Sequence, residues 1–256
     1  MLEHIRSRGA ASIQELAEAI AVSNSTIRRD LEELELAGYL ERTRGGALLE
    51  RTQKSTFEPE AALAAEIARP QKQAIGGVAA NMIRKGESAI FDSSSTVMEL
   101  ARIVATRDLA LTAVTNDLGI GSILARNAMI NVVVPGGTIR PGSQTLRGEP
   151  GQKFLETIHT DITFIGTHAI SGGYLSETSL EIAALKRLMI AAARRVVLLA
   201  DSSKFQTVAF CRICAISEVH QIVTDDGLRS DDAQSLRDFG IDVIIAPVLH
   251  GERDKN

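Results

Sequence analysis

The feature that most restricts the fold is a regular alternation of two hydrophobic patterns from Gln71 onward. Short apolar runs that are typical of buried strands alternate with longer segments in which apolar residues recur at helical spacing. The predicted strands are residues 88–91, 109–114, 130–134, 162–165, 196–199, 221–224 and 243–245. The predicted helices are residues 72–84, 97–105, 118–125, 152–157, 179–193 and 231–239. This order predicts an α/β domain with an open, mostly parallel sheet and crossover helices.

Residues 12–47 have a different pattern, which predicts two helices followed by a hairpin. Ser12 and Glu15 have the spacing of a capping box, in which a hydroxyl and a carboxylate each bind a backbone N–H at a helix start. The helical pattern then breaks and resumes after Ser23, a second candidate N-cap. A basic segment with a Gly-Gly pair follows, as in a β-hairpin. Helix, short turn, capped helix and hairpin in this order predict a winged helix-turn-helix.

One face of the second predicted helix carries the side chains that a recognition helix needs. Ile27, Leu31 and Leu34 share the apolar face, so the polar residues fall on the opposite side. Such a helix reads base edges in the major groove, while arginine and hydroxyl groups bind phosphates. We predict DNA contacts from Ser23, Asn24, Ser25, Thr26, Arg28 and Arg29 of this helix and from Arg42 and Arg44 of the hairpin. The alternative is an ordinary helical hairpin with a solvated arginine pair.

The N-terminal region is not basic overall. The whole chain has a formal net charge of −4, and its first 50 residues contain six Lys or Arg against nine Asp or Glu. Binding to DNA depends on the local array of cations more than on their sum. We therefore expect weak non-specific binding by one protomer. Useful affinity then requires a homo-oligomer, dimer or tetramer, on paired half-sites of double-stranded operator DNA.

Composition places the chain among globular proteins. Hydrophobic residues make up 45% and charged residues 23%, and no apolar run reaches the roughly 18 residues of a membrane span. The N-terminus lacks the charged-then-apolar order of a signal peptide. Cys211 and Cys214 are too few for a disulfide framework or a structural zinc site, so we predict buried thiols. We expect a cytoplasmic protein without membrane association, bound metal or organic cofactor.

A change of composition separates the two patterns. Residues 50–70 are polar and charged at first and alanine-rich later, with Pro59 and Pro70 as breaks. We predict a linker over residues 51–70 that is helical in part, from 61 to 68. It joins a DNA-binding domain, residues 1–50, to a sensing and oligomerisation domain, residues 71–256.

Polar and glycine residues are concentrated where four predicted strands end. These segments are Asp92-Ser93-Ser94-Ser95-Thr96, Thr115-Asn116, Gly136-Gly137-Thr138 and Asp201-Ser202-Ser203-Lys204. In open α/β sheets ligands bind beyond the carboxyl ends of the strands, and hydroxyls at a helix N-terminus suit a phosphate. Together the segments could surround a polyol with a charged end, whereas each one alone could be an ordinary helix cap.

The segment SNSTIRRDLEELELAGYLERTRGGA, residues 23–47, resembles the signature of the DeoR family of bacterial transcriptional regulators. The likeness continues through IFDSSSTVMELAR, VVPGGTIRPGSQTLRGE and VVLLADSSKF in the second half. It implies a two-domain fold: an N-terminal α+β winged helix-turn-helix and a C-terminal α/β sheet similar to ribose-5-phosphate isomerase. The chain departs from the family pattern in both of these regions. Arg44 stands where His is usual, and D-S-S-S-T, from Asp92 to Thr96, replaces D-x-G-T-T.

The resemblance also implies a function, because family sensor domains bind phosphorylated sugars or related intermediates. Matching positions give effector contacts at Asp92, Ser94, Ser95, Thr96, Asn116, Gly136, Gly137 and Lys204. Lys186 also matches a family position, but we expect it to contact another element or solvent. The chain is then a repressor of a carbohydrate-catabolism operon, released from its operator by a phosphorylated sugar or sugar acid. The alternative is a sugar-phosphate isomerase with an appended DNA-binding domain, using Asp92, Glu181 and Lys204.

Overall fold

The computed structural model describes residues 1, 4–5, 10–36, 39–43, 45–49 and 61–248. Contacts between residues divide the chain into two units, residues 1–67 and residues 68–256. Each unit has its own buried apolar core. No helix within the described ranges is both long and apolar enough to cross a bilayer.

The N-terminal unit contains the two predicted helices. Strand β1 is Ala10–Ser12, helix α1 is Ile13–Ile20 and helix α2 is Asn24–Leu36. The capping box is present at the start of α1. Ser12 Oγ accepts from the N–H of Glu15 at 3.1 Å, and the Glu15 carboxylate accepts from the N–H of Ser12 at 2.7 Å. This pair binds two backbone donors that the first helical turn leaves without helical partners.

A small antiparallel sheet completes this unit. Strands β2 (Leu40–Thr43) and β3 (Gly46–Leu49) form the predicted hairpin, and β1, which was not predicted, pairs with β3. A Cβ atom at Gly46 would lie 2.1 Å from the carbonyl oxygen of Ala11, so only glycine allows β3 to approach β1 this closely. The buried residues of this unit are Ile5, Ala11, Leu16, Ile27, Leu31, Tyr39, Leu40 and Ala47.

The second unit alternates strands and helices. Its strands are β4 (Ser88–Phe91), β5 (Leu111–Thr115), β6 (Ile130–Val133), β7 (Thr138–Ile139), β8 (Leu146–Arg147), β9 (Ile162–Ile165), β10 (Ala169–Ser171), β11 (Tyr174–Glu177), β12 (Val196–Leu199), β13 (Cys211–Ala215), β14 (Gln221–Asp225) and β15 (Asp242–Ala246). The helices that follow α2 in the described chain are α3 (Ala61–Glu66), α4 (Arg69–Ala80), α5 (Ser95–Val104), α6 (Leu118–Leu124), α7 (Gly151–Leu155), α8 (Leu180–Ala191) and α9 (Ser230–Asp238).

Seven of these strands form one parallel sheet in the order β15-β14-β12-β9-β4-β5-β6. The chain runs from β4 outward to β6, returns to β9 on the other side of β4, and then runs outward to β15. The strand order therefore reverses between β4 and β9, and ligands of open α/β sheets bind at such a switch point. The predicted fold class, a winged helix-turn-helix followed by a parallel α/β sheet, is confirmed.

Helices cover both faces of the sheet. Against one face, α4 and α5 pack so closely that a Cβ atom at Gly76 would lie 2.8 Å from the backbone nitrogen of Leu100. Phe91 and Phe164 lie side by side in the core beneath them, with ring centroids 5.8 Å apart. The sequences of the strands are therefore continuous apolar runs, as expected for a sheet that is buried on both faces.

Two smaller sheets were not predicted. Strands β10, β11 and β13 form an antiparallel sheet, and β7 pairs with β8. The β10–β11 turn contains Gly172 and Gly173, both with positive φ, and this Gly-Gly pair is the sequence signal that could have identified the hairpin. Helix α3 falls inside the predicted linker. The predicted domain boundaries stay predictions, because residues 50–60 lie outside the described residues.

Candidate functional site

The recognition face predicted for α2 is exposed to solvent. Its exposed side chains are Asn24, Ser25, Thr26, Arg28 and Arg29. Ile27 and Leu31 on the opposite face are fully buried and hold the helix in place. Among the described residues, neither Arg28 nor Arg29 forms an ion pair. The two guanidinium groups are therefore available to phosphates or bases.

Three hydroxyls at the start of α2 bind one another. Ser23 Oγ accepts from the N–H of Thr26 at 3.2 Å, as predicted for an N-cap. It also lies 2.7 Å from Ser25 Oγ and 2.9 Å from Thr26 Oγ1. Ser23 and Thr26 thus hold the first turn of the helix, which presents Asn24 and Ser25 to solvent.

In the hairpin, Arg42, which was predicted to contact DNA, already binds two glutamates of α2. The backbone N–H of Arg42 donates to a Glu35 carboxylate oxygen at 3.0 Å, and its guanidinium lies 3.7 Å from the Glu32 carboxylate. These contacts fasten β2 to α2, and the carboxylates compete with DNA phosphates for Arg42. Arg44 lies outside the described residues.

At the other predicted site, Asp92 lies directly after β4 at the point where the strand order reverses. The side chain is 1% exposed. Its Oδ2 accepts from the N–H of Gly166, the residue after β9, at 2.9 Å and lies 3.4 Å from Lys186 Nζ. Its Oδ1 is buried and has no hydrogen-bond donor among the described residues. Asp92 therefore joins the carboxyl ends of β4 and β9 through one oxygen only.

Lys186 of α8 is the centre of a buried ionic cluster. Its ammonium donates to Glu177 Oε2 at 2.6 Å and to the carbonyl oxygen of Gly166 at 3.0 Å, beside Asp92. Burial alone would lower the pKa of Lys186, but the carboxylates of Asp92 and Glu177 outweigh burial and raise that pKa above its ordinary value. Lys186 contacts other elements, as predicted.

Glu177, at the end of β11, is a member of this cluster that the sequence did not reveal. Burial would raise its pKa, but the neighbouring Lys186 and the N–H of Thr178 hold the pKa below its ordinary value. A lysine in the apolar sequence of α8 was the available signal, because a buried cation requires an acceptor. The pattern did not say which carboxylate supplies it.

The N-terminus of α5 lies beside this cluster. Ser94 Oγ accepts from the N–H of Val97 at 3.2 Å and caps the helix, while Ser95 and Thr96 are its first two residues. A Cβ atom at Gly166 would lie 2.4 Å from Ser94 Cβ, so this glycine allows the ends of β4 and β9 to meet. The first N–H groups of a helix and its dipole favour an anion at this position.

Asn116 follows β5 and is covered by the β7–β8 hairpin. Its backbone carbonyl accepts from the N–H of Leu146 at 2.7 Å, and its Nδ2 donates to the carbonyl of Leu146 at 3.2 Å. Asn116 Nδ2 also lies 3.5 Å from Ser93 Oγ. Its Oδ1 is buried and has no donor among the described residues.

Gly136 and Gly137 have positive φ values of 86° and 132° and lead from β6 into the hairpin. A Cβ atom at Gly137 would lie 2.6 Å from the carbonyl oxygen of Arg147, so glycine is required for the hairpin to close. Gly136 and Asn116 border a small cavity that is otherwise mostly apolar. Both glycines therefore shape the backbone around Asn116.

Lys204 lies on a separate part of the same sheet edge, in a short turn after β12. Asp201 accepts from the N–H of Ser203 at 3.1 Å, and Asp225 accepts from the N–H of Ser202 at 2.6 Å, which fixes the turn against β14. Among the described residues, no hydrogen bond or ion pair links the Lys204 ammonium to Asp92 or Asn116. The described contacts thus connect Asp92, the α5 N-terminus and Asn116 with one another but not with Lys204.

The remaining candidate groups have structural surroundings. Cys214 is buried, and burial raises the pKa of its thiol to about 12, while burial and Glu177 raise that of Cys211. Both thiols are therefore protonated at neutral pH and poor nucleophiles. Glu181 is exposed and pairs with Arg147. No described contact joins Glu181 to Asp92 or to Lys204.

Both units match the models of one protein family. The DeoR-like helix-turn-helix domain matches residues 1–53, and the DeoR C-terminal sensor domain matches residues 67–226. The transcriptional repressor AccR of Agrobacterium fabrum is 34% identical over 90% of this chain and 89% of AccR. The HTH-type transcriptional regulator GlpR of Haloferax volcanii is 30% identical over 95% of this chain and 94% of GlpR.

Solved structures show a more distant likeness. Ribose 5-phosphate isomerase A from Neisseria gonorrhoeae is similar over 53% of this chain and 53% of that chain, with a TM-score of 0.40 and 16% identity. By contrast, the sequence relatives cover nearly the whole chain and are named as transcriptional regulators. With both of its units matched, this chain belongs to the DeoR family of transcriptional regulators.

Proposed function

We propose that the chain is a repressor that binds operator DNA through α2 and the β2–β3 hairpin and leaves it when a small effector binds the parallel sheet. The observation that best supports this is the face of α2. Arg28 and Arg29 are exposed and in no ion pair with the described residues, while the helix is held from behind by buried Ile27 and Leu31. That arrangement is what a helix needs to enter the major groove. The name of the relative AccR supports repression.

We assign different tasks to the residues of this surface. Asn24, Ser25, Arg28 and Arg29 contact bases and phosphates, because their side chains project from the exposed face. The proposed phosphate contacts of the hairpin are Arg42 and Arg44. Ser23 and Thr26 contact DNA at the helix start, where their hydroxyls also hold the first turn. Since the first 50 residues carry more acidic than basic groups, we propose a homo-oligomer on paired half-sites.

The proposed effector is a phosphorylated sugar or sugar acid at the carboxyl end of the sheet. Its contacts are Asp92, Ser94, Ser95, Thr96, Asn116, Gly136, Gly137 and Lys204. The N–H groups at the start of α5 favour a phosphate, and Lys204 supplies a cation on the same edge. The regulated genes are those of carbohydrate catabolism, and the protein acts in the cytoplasm.

We propose regulation rather than catalysis at this edge. An isomerase requires a carboxylate base and a cation placed on one substrate. Here Glu181 is paired with Arg147 at the surface, and Lys186 is engaged by two carboxylates. The regulator names of the relatives favour the same conclusion.

The DNA-binding proposal is tested by changing one arginine. The operator is first selected from a pool of random duplexes with the full chain, and its affinity is then measured by fluorescence anisotropy. Arg28→Ala is expected to weaken operator binding by about fivefold or more, because base or phosphate contacts of a recognition helix are worth about 1–3 kcal/mol. Arg237→Ala, which removes an exposed arginine from α9, is the matched control and should bind as the wild type does. Equal affinity of both variants would refute the recognition-face assignment.

The effector proposal is tested by thermal shift with a panel of phosphorylated sugars, because a ligand of the folded state raises its melting temperature. A hit should release the operator in the anisotropy assay, and Lys204→Ala should weaken both effects. Lys85→Ala removes an exposed lysine elsewhere in the same unit and serves as the control. A hit that is bound equally by Lys204→Ala would remove Lys204 from the site, and a panel without hits would refute a phosphorylated sugar.

A further inference from the structure

Two buried acceptor oxygens of the proposed effector site have no donor among the described residues. The first is Asp92 Oδ1. The N–H of Gly166 and the ammonium of Lys186 both lie at Oδ2 of the same carboxylate, so they fix its orientation and leave Oδ1 on the other side. Asp92 is 1% exposed, and none of the described residues donates to its Oδ1.

The second is Asn116 Oδ1. The orientation of this amide is fixed, because the carbonyl of Leu146 can only accept and so must face Nδ2, at 3.2 Å. Oδ1 therefore points away from Leu146. Asn116 is 4% exposed, and none of the described residues donates to this oxygen.

These two oxygens lie on neighbouring strand ends. Phe91 of β4 is in register with Thr115 of β5, so the next residues, Asp92 and Asn116, follow as a pair at the carboxyl edge. Neighbouring strands in a sheet lie about 4.8 Å apart, so one ligand with hydroxyls on neighbouring carbon atoms is long enough to reach both residues. A buried acceptor without a donor destabilises the protein, so a ligand that supplies two donors gains binding energy here.

The charged groups around these two oxygens indicate which chemical group of a ligand binds there. Burial is the main cause that raises the pKa of Asp117, and the charge of nearby Asp92 raises it further. Glu177 adds another buried carboxylate, whereas Lys186 is the cation that the described structure places against Asp92 and Glu177. Carboxylates therefore outnumber cations around the two oxygens, which disfavours a phosphate group and favours neutral hydroxyl donors.

We propose that Asp92 Oδ1 and Asn116 Oδ1 form a subsite that reads two neighbouring hydroxyl groups of the effector, with its phosphate bound elsewhere on the edge. This inference rests on the proposed function, because it assigns an orientation to that effector. The ligand class is a vicinal diol on a sugar or polyol chain. The β7–β8 hairpin, which covers Asn116 through Leu146, has to move for this diol to enter.

The test compares sugars that differ by one hydroxyl. Binding of glucose 6-phosphate, ribose 5-phosphate and their 2-deoxy and 3-deoxy analogues to the full chain is measured by calorimetry, together with inorganic phosphate and sorbitol. At least one parent sugar should bind tenfold or more tightly than a deoxy analogue. In Asp92→Asn, Gly166 and Lys186 keep the amide oxygen in the Oδ2 position, so a donor replaces the acceptor Oδ1. The affinities of the parent sugar and its deoxy analogue should then differ by no more than twofold.

Asn116→Ser is the second variant, in case Asp92→Asn does not fold, and it should reduce the same preference. Lys204→Ala should weaken parent and deoxy sugars equally, whereas Asp226→Asn, at the exposed position that follows β14, should change neither. Sugars that bind without any preference over their deoxy analogues would refute the diol subsite and leave the sugar-phosphate effector standing. Loss of inorganic phosphate binding in Asp92→Asn would also refute it. Binding of sorbitol alone, lost in Asp92→Asn, would support the subsite and refute the phosphate, and a panel with no binding would refute both.

Discussion

The two surfaces of this regulator treat their charged side chains in opposite ways. On the α2 face, Arg28 and Arg29 stay in solvent, and the apolar side chains of Ile27 and Leu31 are buried behind them. At the carboxyl end of the parallel sheet, Asp92, Glu177 and Lys186 are buried against one another. The first surface can exchange water for a polyanion without disturbing the core. The second surface can bind a ligand only if contacts within its buried polar cluster also change.

This difference indicates how one chain can bind DNA phosphates of any sequence and still discriminate between effectors. Exposed cations bind phosphates of any sequence and give affinity that falls with salt. Buried groups with fixed partners discriminate, because a ligand that lacks one donor leaves an acceptor unpaired. The buried cluster also joins β4, β9, β11 and α8 through Lys186. A ligand on Asp92 therefore acts on several elements at once, as an effector must if it favours one arrangement over another.

The largest expected effect is a loss of stability, and it is tested by removing one cation from each surface. Lys186→Met leaves two carboxylates buried without their cation, and breaking such a pair destabilises a protein by about 3–5 kcal/mol. Arg29→Met removes an exposed cation and should change the free energy of unfolding by no more than about 0.5 kcal/mol. Denaturant unfolding of the full chain, followed by circular dichroism, measures both.

A double variant sharpens this result. Glu177→Gln in the Lys186→Met background removes one of the stranded carboxylates, so it should recover part of the lost stability, whereas Glu177→Gln alone should destabilise the protein. If Lys186→Met is no less stable than Arg29→Met, the buried cluster does not hold the sheet edge together, and the contrast between the two surfaces fails.

A smaller effect is expected from the two adjacent glycines of the hairpin. Gly46→Ala would place its Cβ atom 2.1 Å from the carbonyl of Ala11 and should force β3 away from β1, at a cost of about 1–3 kcal/mol. A Cβ atom at Gly45 would meet nothing within 4 Å, so Gly45→Ala is the matched control. Operator affinity should fall in Gly46→Ala alone, because the hairpin loses its position relative to α2. Equal operator affinity in the two variants would show that hairpin position does not matter for DNA binding.

The sequence was a good guide to the first surface because the interactions that build it are local. The capping box joins Ser12 to Glu15, three residues away, and the buried face of α2 follows from helical spacing. The parallel strands were predicted for a similar reason, since each is a short apolar run between turns. The strands that were missed belong to small sheets. The pairing of β11 with β13 is non-local, whereas the Gly-Gly turn between β10 and β11 was a local signal.

At the second surface the sequence identified residues but not their partners. Asp92 and Asn116 stand out because each follows a predicted strand. That Asp92 binds Gly166, 74 residues later, depends on the strand order, which brings β9 beside β4. Lys186 was expected to contact another element, yet Glu177 could not be identified as its acceptor from helical or strand spacing. Tertiary packing decides which of several carboxylates a buried cation meets.

The smallest expected effect concerns a single carboxylate of the buried edge. Asp117 is buried and caps α6 by accepting from the N–H of Ile120 at 2.9 Å. Burial, together with the charge of Asp92, raises its pKa above the ordinary value despite this hydrogen bond. A carboxyl with a raised pKa in the folded state stabilises the protein when it is protonated, and that contribution is lost as the pH rises through the folded pKa. Ionised Asp117 therefore destabilises the protein at neutral pH.

Asp117→Asn removes this charge and keeps a side-chain oxygen that can cap the helix. The variant should be more stable than the wild type at pH 7, because it lacks the charge that burial and the neighbouring Asp92 disfavour. The difference should shrink as the pH falls and Asp117 becomes protonated. Thermal unfolding between pH 4 and pH 8, with the exposed Asp238→Asn as control, measures it. A gain that does not depend on pH would show that a change in capping, not the burial of a charge, separates this edge from the solvated face of α2.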